Sequence, residues 1–217
     1  MTPRRSGRRS GPRSARRTVR LAGASTLALL VGLAGTVAQA TEPTDPIALA
    51  TWASASGDTG GRPFVVVDKL GARVLAFDGT GSLVAETPAL LGAGLGDESP
   101  PGIGTMRLAD ITPALRITPA GRYEAHLGVN LSGKTILWID YDDALSLHSV
   151  VTSNTKERRL QRLATPATQD NRISYGCINV PAWFYQDVVQ PLFSPANGIV
   201  YILPETATFT EQLIASK

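Results

Sequence analysis

The chain has 217 residues, 43% of them hydrophobic, with 21 Lys and Arg, 18 Asp and Glu, and a single cysteine. The cation surplus is confined to the start: residues 1–40 hold eight arginines and no acid, which leaves 13 cations and 18 acids, a net charge of −5, in the 177 residues that follow. That balance gives no footing for a nucleic-acid partner, one cysteine excludes an internal disulfide framework, and the length beyond position 40 suits one well-buried domain rather than two.

Residues 1–40 read as a signal peptide. Arg4, Arg5, Arg8, Arg9, Arg13, Arg16, Arg17 and Arg20 form a basic region. An uncharged Ala/Leu/Val/Gly run over 21–40 follows and ends in Ala38-Gln39-Ala40, a small-x-small cleavage pattern. The expectation is export to the periplasm or cell envelope. Glycines and threonines dilute the apolar run and the cleavage site closes it, so no stable membrane anchor is expected. Residues 41–61 are rich in Pro, Gly, Ala and Thr with little pattern, and read as a flexible lead-in.

From residue 62 to 204 the period is mostly two, which predicts a single domain that is mainly β with short helices. The runs 64–68, 73–77 and 82–86 are joined by tight turns and read as a three-stranded meander. The glycine-rich stretch 92–104 lacks the spacing of a nucleotide-binding loop and reads as a mobile surface loop. Further strands are expected over 122–127, 135–140, 144–148 and 198–203. Pro181 opens a helical pattern through Trp183, Phe184, Val188 and Leu192. Trp138, Trp183, Phe184 and Tyr201 occupy apolar positions and are expected in the core. Residues 205–217 form a tail in which Thr208 and Glu211 make a capping box for a short helix.

The lone cysteine lies in Ser174-Tyr175-Gly176-Cys177-Ile178-Asn179. A thiol without a partner in an exported chain is a candidate nucleophile, and a thiol nucleophile works as thiolate with an imidazole to take and return its proton. Only His126 and His148 are available. Both fall opposite the apolar face of their strands, and His148 is favoured because it ends its strand just before Ser149 and a polar loop. Asp140, Asp142 and Asp143 cluster after a strand without metal-loop spacing, so no metal and no cofactor are expected.

These segments together resemble a known family. Thr118-Pro119-Ala120-Gly121-Arg122-Tyr123, then His148-Ser149, then Ser174 to Asn179 are similar, in order and composition, to the motifs of L,D-transpeptidase catalytic domains of the YkuD type. The resemblance implies a β-sandwich-like catalytic domain acting on peptidoglycan stem peptides through a Cys177 thioester, for crosslinking or for attaching a wall-linked protein. It assigns Cys177 as nucleophile, His148 as general base and the Ser149 carbonyl as the group that orients the imidazole. It places the oxyanion site at the backbone N–H groups of Tyr175, Gly176 and Cys177, and substrate contacts at Ser174 and Asn179.

Three departures from the family pattern stand out. Asn179 occupies a position often held by Arg, Tyr175 stands where a second His is common, and the gap between His148 and Cys177 is long. That gap carries Lys156, Arg158, Arg159, Arg162 and Arg172. A basic lid would supply the missing cation, with Arg172 the best single candidate because it lies nearest the motif. The alternatives are an L,D-carboxypeptidase or hydrolase that uses the same acyl-enzyme with water, and a non-catalytic wall-binding protein that keeps the fold.

Overall fold

In the computed structural model, which describes residues 45–206, β1 (Phe64–Asp68) and its parallel neighbour β10 (Gly198–Ile202) are buried along their whole lengths. Apolar runs without alternation are what strands covered on both faces require. The other strands are β2 (Arg73–Phe77), β3 (Leu83–Pro88), β4 (Leu91–Gly92), β5 (Gly121–Val129), β6 (Thr135–Asp140), β7 (Leu145–Ser149), β8 (Arg172–Ser174) and β9 (Ile178–Val180). Helices α1 (Pro46–Ala55), α2 (Arg159–Ala164), α3 (Ala182–Phe184) and α4 (Gln190–Phe193) complete the set, with several 3-10 turns between. The fold is mainly β. One eight-stranded sheet runs β3-β2-β1-β10-β5-β6-β7-β9, and β4 and β8 form a small parallel pair beside it.

The two faces of the β1–β10 region feed different cores. Val65, Val67, Val200 and Ile202 join residues from β6, β7, β9 and the segment 184–193 in the main core. Phe64, Val66, Ile199 and Tyr201 join Leu49, Ala50 and Ala53 of α1 in a second one. Phe64 stacks on Phe77 at 4.8 Å between ring centres and meets Tyr201 edge-on at 5.9 Å.

Helix α1 corrects the expectation of a flexible lead-in over 41–61. Asp45 caps it through its carboxylate and the Ile47 N–H (3.0 Å), and Pro46 sits in the first turn. Two of its four buried residues are alanine and one is proline, so the burial that holds it leaves little amphipathic contrast in the sequence. The 92–104 stretch is likewise tied down rather than mobile over its first half. Gly92 lies in β4, Gly94 N–H donates to the Arg116 carbonyl (2.9 Å), and Asp97 is buried. A Cβ on Gly92 would stand 2.1 Å from the Arg116 carbonyl oxygen, so the strand approach needs glycine there.

After Pro181 the helix is interrupted by a π-helical turn at Tyr185–Val189. Pro191, in the first turn of α4, has no N–H for the Asp187 carbonyl and its ring crowds that position, which explains the widened turn. Trp183 is 50% exposed and Trp138 only half-buried, against the expectation of core positions; Trp138 stacks on Tyr141 at 4.5 Å. Phe184 and Tyr201 are fully buried as expected. Glu205 and Thr206, expected in the tail, are bonded into the domain through Asp97. The expected signal peptide and the helix expected near Thr208 lie outside the described residues. Among the described residues, no helix is long and apolar enough to cross a membrane.

Candidate active site

Strands β7 and β9 run parallel, with Leu147 opposite Ile178 and His148 opposite Asn179. Side chains alternate along a strand, so Leu145 and Leu147 enter the core while Ser146 and His148 emerge together on the other face. Cys177 immediately precedes β9 and therefore meets that pair. The Ser146 hydroxyl donates to Cys177 Sγ at 3.5 Å, and His148 shares a hydrogen bond with the thiol. The Ala144 carbonyl lies 3.4 Å from Sγ, and Ala144 itself sits at φ +51°, a left-handed conformation uncommon for a residue with a Cβ.

His148 Nδ1 is 2.8 Å from the Ser149 carbonyl oxygen. A carbonyl can only accept, so Nδ1 carries the proton, and in the neutral ring Nε2 is left as the acceptor. Burial alone would push the Cys177 thiol up, but the His148 hydrogen bond and charge, helped by Ser146, outweigh it and hold the thiol below its ordinary range. Burial would likewise push His148 down. The bond to the thiol, the thiolate charge and the Ser149 carbonyl outweigh that, and His148 titrates above an ordinary imidazole. The opposed shifts favour thiolate facing imidazolium. Cys177 itself still reaches the surface.

The turn that presents the thiol is fixed from below. Gly176 has φ +127°, and a Cβ there would stand 2.8 Å from the Ile117 carbonyl oxygen. The Thr118 hydroxyl donates to the Gly176 carbonyl (2.7 Å) and accepts from Gly92 N–H (2.9 Å). Ser174 is buried, and its hydroxyl donates to the Cys177 carbonyl (2.6 Å) and accepts from Gly176 N–H (3.1 Å). The Gly176 N–H is therefore engaged by the Ser174 hydroxyl. Outside the strand ladders, no acceptor among the described residues takes the N–H of Tyr175 or Cys177. The exposed Tyr175 ring lies under the Arg116 guanidinium, 3.8 Å from its centre.

The residues expected to contact substrate are bonded within the protein. Asn179 is 1% exposed; its Nδ2 donates to the Cys177 carbonyl (3.2 Å) and its Oδ1 accepts from Arg159 Nη1 (2.6 Å). Asn179 and Ser174 thus brace the turn. Arg172 is a structural residue: it pairs with Glu205 and donates to the Lys69 carbonyl (3.0 Å). Of the cations in the gap, the one bonded to the turn is Arg159, held between Asn179 and Glu157 Oε2 (2.5 Å). Arg162 is pinned to the carbonyls of Glu157 and Asp170, so of the five cations in the gap only Lys156 and Arg158 stand exposed. His126 bonds the Tyr141 hydroxyl at 3.1 Å.

No family model matches the chain, and no curated protein does. Among solved structures, the L,D-transpeptidase LdtMt1, determined in complex with imipenem, matches with a TM-score of 0.35 and 12% identity over 64% of this chain and 58% of its own. The chain therefore spans a little over half the length of that protein.

Three residues of the site were not singled out from the sequence. Ser146 was visible as the strand neighbour of His148, two positions earlier on the same face. Thr118 was noticed only as part of a motif, and its contact with Gly176 joins residues 58 apart. Arg159 carried no signal that set it apart from its basic neighbours. Among the described residues, no group of His, Cys, Asp and Glu could hold a metal ion.

Proposed function

We propose that the protein is an exported cysteine acyltransferase of the L,D-transpeptidase kind, acting on peptidoglycan stem peptides. The observation that carries this is the Cys177–His148 pair, with the imidazole tautomer fixed by the Ser149 carbonyl. The order of the three sequence motifs supports the same reading. The Cys177 thiolate attacks a stem-peptide carbonyl, and the tetrahedral oxyanion faces the Tyr175 and Cys177 N–H groups. The His148 imidazolium gives its proton to the departing amine as the C–N bond breaks, leaving a thioester. An acceptor amine then loses a proton to His148, forms the new amide bond and releases the thiolate.

Intact-mass measurement after incubation with a carbapenem tests this. The expected result is one adduct per chain, absent in Cys177→Ala. A folded wild-type protein with a free thiol and no adduct would reject the acyl-enzyme and leave a non-catalytic wall protein as the better account.

A further inference from the structure

His148 forms part of a second opening that Cys177 does not line. A cavity of about 350 Å³ lies between the end of the β5–β6 hairpin, the strand end at His148 and the π-helical turn. Its polar lining includes Asn130, Lys134, Gln186 and Gln190, and no acid contributes to it. Tyr185 also lines it, is 3% exposed, and has a buried hydroxyl with no hydrogen-bond partner. A buried hydroxyl without a partner is uncommon, and one beside a cavity points to a group that belongs there.

The chemistry of the lining is donor-rich. Burial raises the Tyr185 phenol to about 12, so it stays protonated at neutral pH and offers an O–H. Asn130 Oδ1 is taken by Ser132 N–H, the Ser132 hydroxyl and Lys134 N–H, which leaves its Nδ2 as the free end. Lys134 adds a positive charge at the exposed rim. The π-helical turn, forced by Pro191, brings Tyr185 and Gln186 to the same cavity as Gln190.

We propose that this cavity is a carboxylate-binding subsite of the active site, in which Tyr185, Gln186, Gln190 and Lys134 hold a carboxylate of the peptide substrate beside His148. The assignment rests on the acyl-transfer reading for its place in catalysis, but the binding can be tested without turnover. The probes are N-acetyl-D-alanine and its amide, titrated into full-length Cys177→Ala protein and followed by NMR of the Gln186 and Gln190 side-chain amides.

The acid is expected to bind about 10-fold more tightly than the amide, because the bonds it accepts are charge-assisted. Tyr185→Phe and Lys134→Gln, each added to Cys177→Ala, should reduce that preference several-fold. Tyr185→Phe removes a hydroxyl that has no partner, so its melting temperature should equal or exceed that of its parent. Equal affinity for acid and amide, or a preference unchanged in both variants, would overturn the subsite. That outcome would leave the carbapenem adduct intact; loss of the adduct would conversely leave the titration standing and remove only the link to acyl transfer.

Discussion

Two clusters of ionisable groups sit a short way apart in this fold, and they are built to opposite ends. Around Lys69, every charge is answered: the ammonium bonds Asp97 (2.6 Å), the Gly96 carbonyl (2.6 Å) and the Thr118 carbonyl (3.0 Å), with Glu205 at 3.6 Å and Arg172 on the far side of Glu205. Burial alone would raise Asp97, but Lys69, the Thr206 hydroxyl and the Glu205 N–H hold it far below the usual carboxylate range. Around Cys177 the thiol and imidazole answer one another, while the Tyr175 and Cys177 N–H groups find no acceptor outside the strand ladders among the described residues. A closed cluster fixes the chain; an open one has valence to spare for a substrate. The two are joined by Thr118, whose carbonyl takes Lys69 and whose hydroxyl holds Gly176.

Substitutions should separate the two along that line. The largest effect is expected at Cys177→Ala, which removes covalent labelling altogether while the urea midpoint stays close to wild type. His148→Ala should slow acylation by about 10²–10⁴-fold, the range for a lost general base, and His126→Ala should leave the rate within a few-fold. Equal losses in the two histidine variants would mean that the strand-end geometry does not select the base. Arg172→Met should act on stability instead. It leaves the buried Glu205 without its guanidinium but still opposed by Lys69 and bonded by Gly96 N–H, at a cost of about 1–3 kcal/mol, read as a lowered urea midpoint. The folded fraction should keep a wild-type labelling rate; a large rate loss in folded Arg172→Met protein would return Arg172 to the site.

The fold was far more legible in the sequence than the contacts that brace the Cys177 turn. Strands β1, β2 and β6 follow directly from their apolar runs, and period-two alternation put His148 opposite Leu147. Helix α1 was missed although Asp45-Pro46 is a capping signal, because an alanine-rich face gives no contrast between inside and outside. The π-helical turn was missed because helical spacing was counted through Pro191. The exchange of Arg172 for Arg159 has a different cause. Proximity in sequence to Cys177 favoured Arg172, but Arg172 leads β8, where pairing with β4 carries it towards Lys69 and Glu205. Partners 33 and 103 residues away decide its role, and no local pattern encodes them.

The smallest expected effect is also the sharpest test of the open cluster. Arg159 is the positive charge that opposes protonation of His148, although it is outweighed by Cys177 and the Ser149 carbonyl. Arg159→Ala removes the donor to the buried Asn179 Oδ1, so a stability cost of about 1–3 kcal/mol is expected. Asn179 keeps its bond to the Cys177 carbonyl, and the turn should hold. The pH profile should move. Activity rises as Cys177 ionises below the usual thiol range and falls as His148 loses its proton above the usual imidazole range. Removing a cation that lowers His148 must raise it further, so the alkaline limb of the acylation profile should shift to higher pH. The acid limb, set by Cys177, should move little, because His148 and Ser146 dominate the stabilisation of the thiolate. An alkaline limb unchanged in Arg159→Ala would show that the guanidinium is screened from the imidazole, and would confine Arg159 to bracing Asn179.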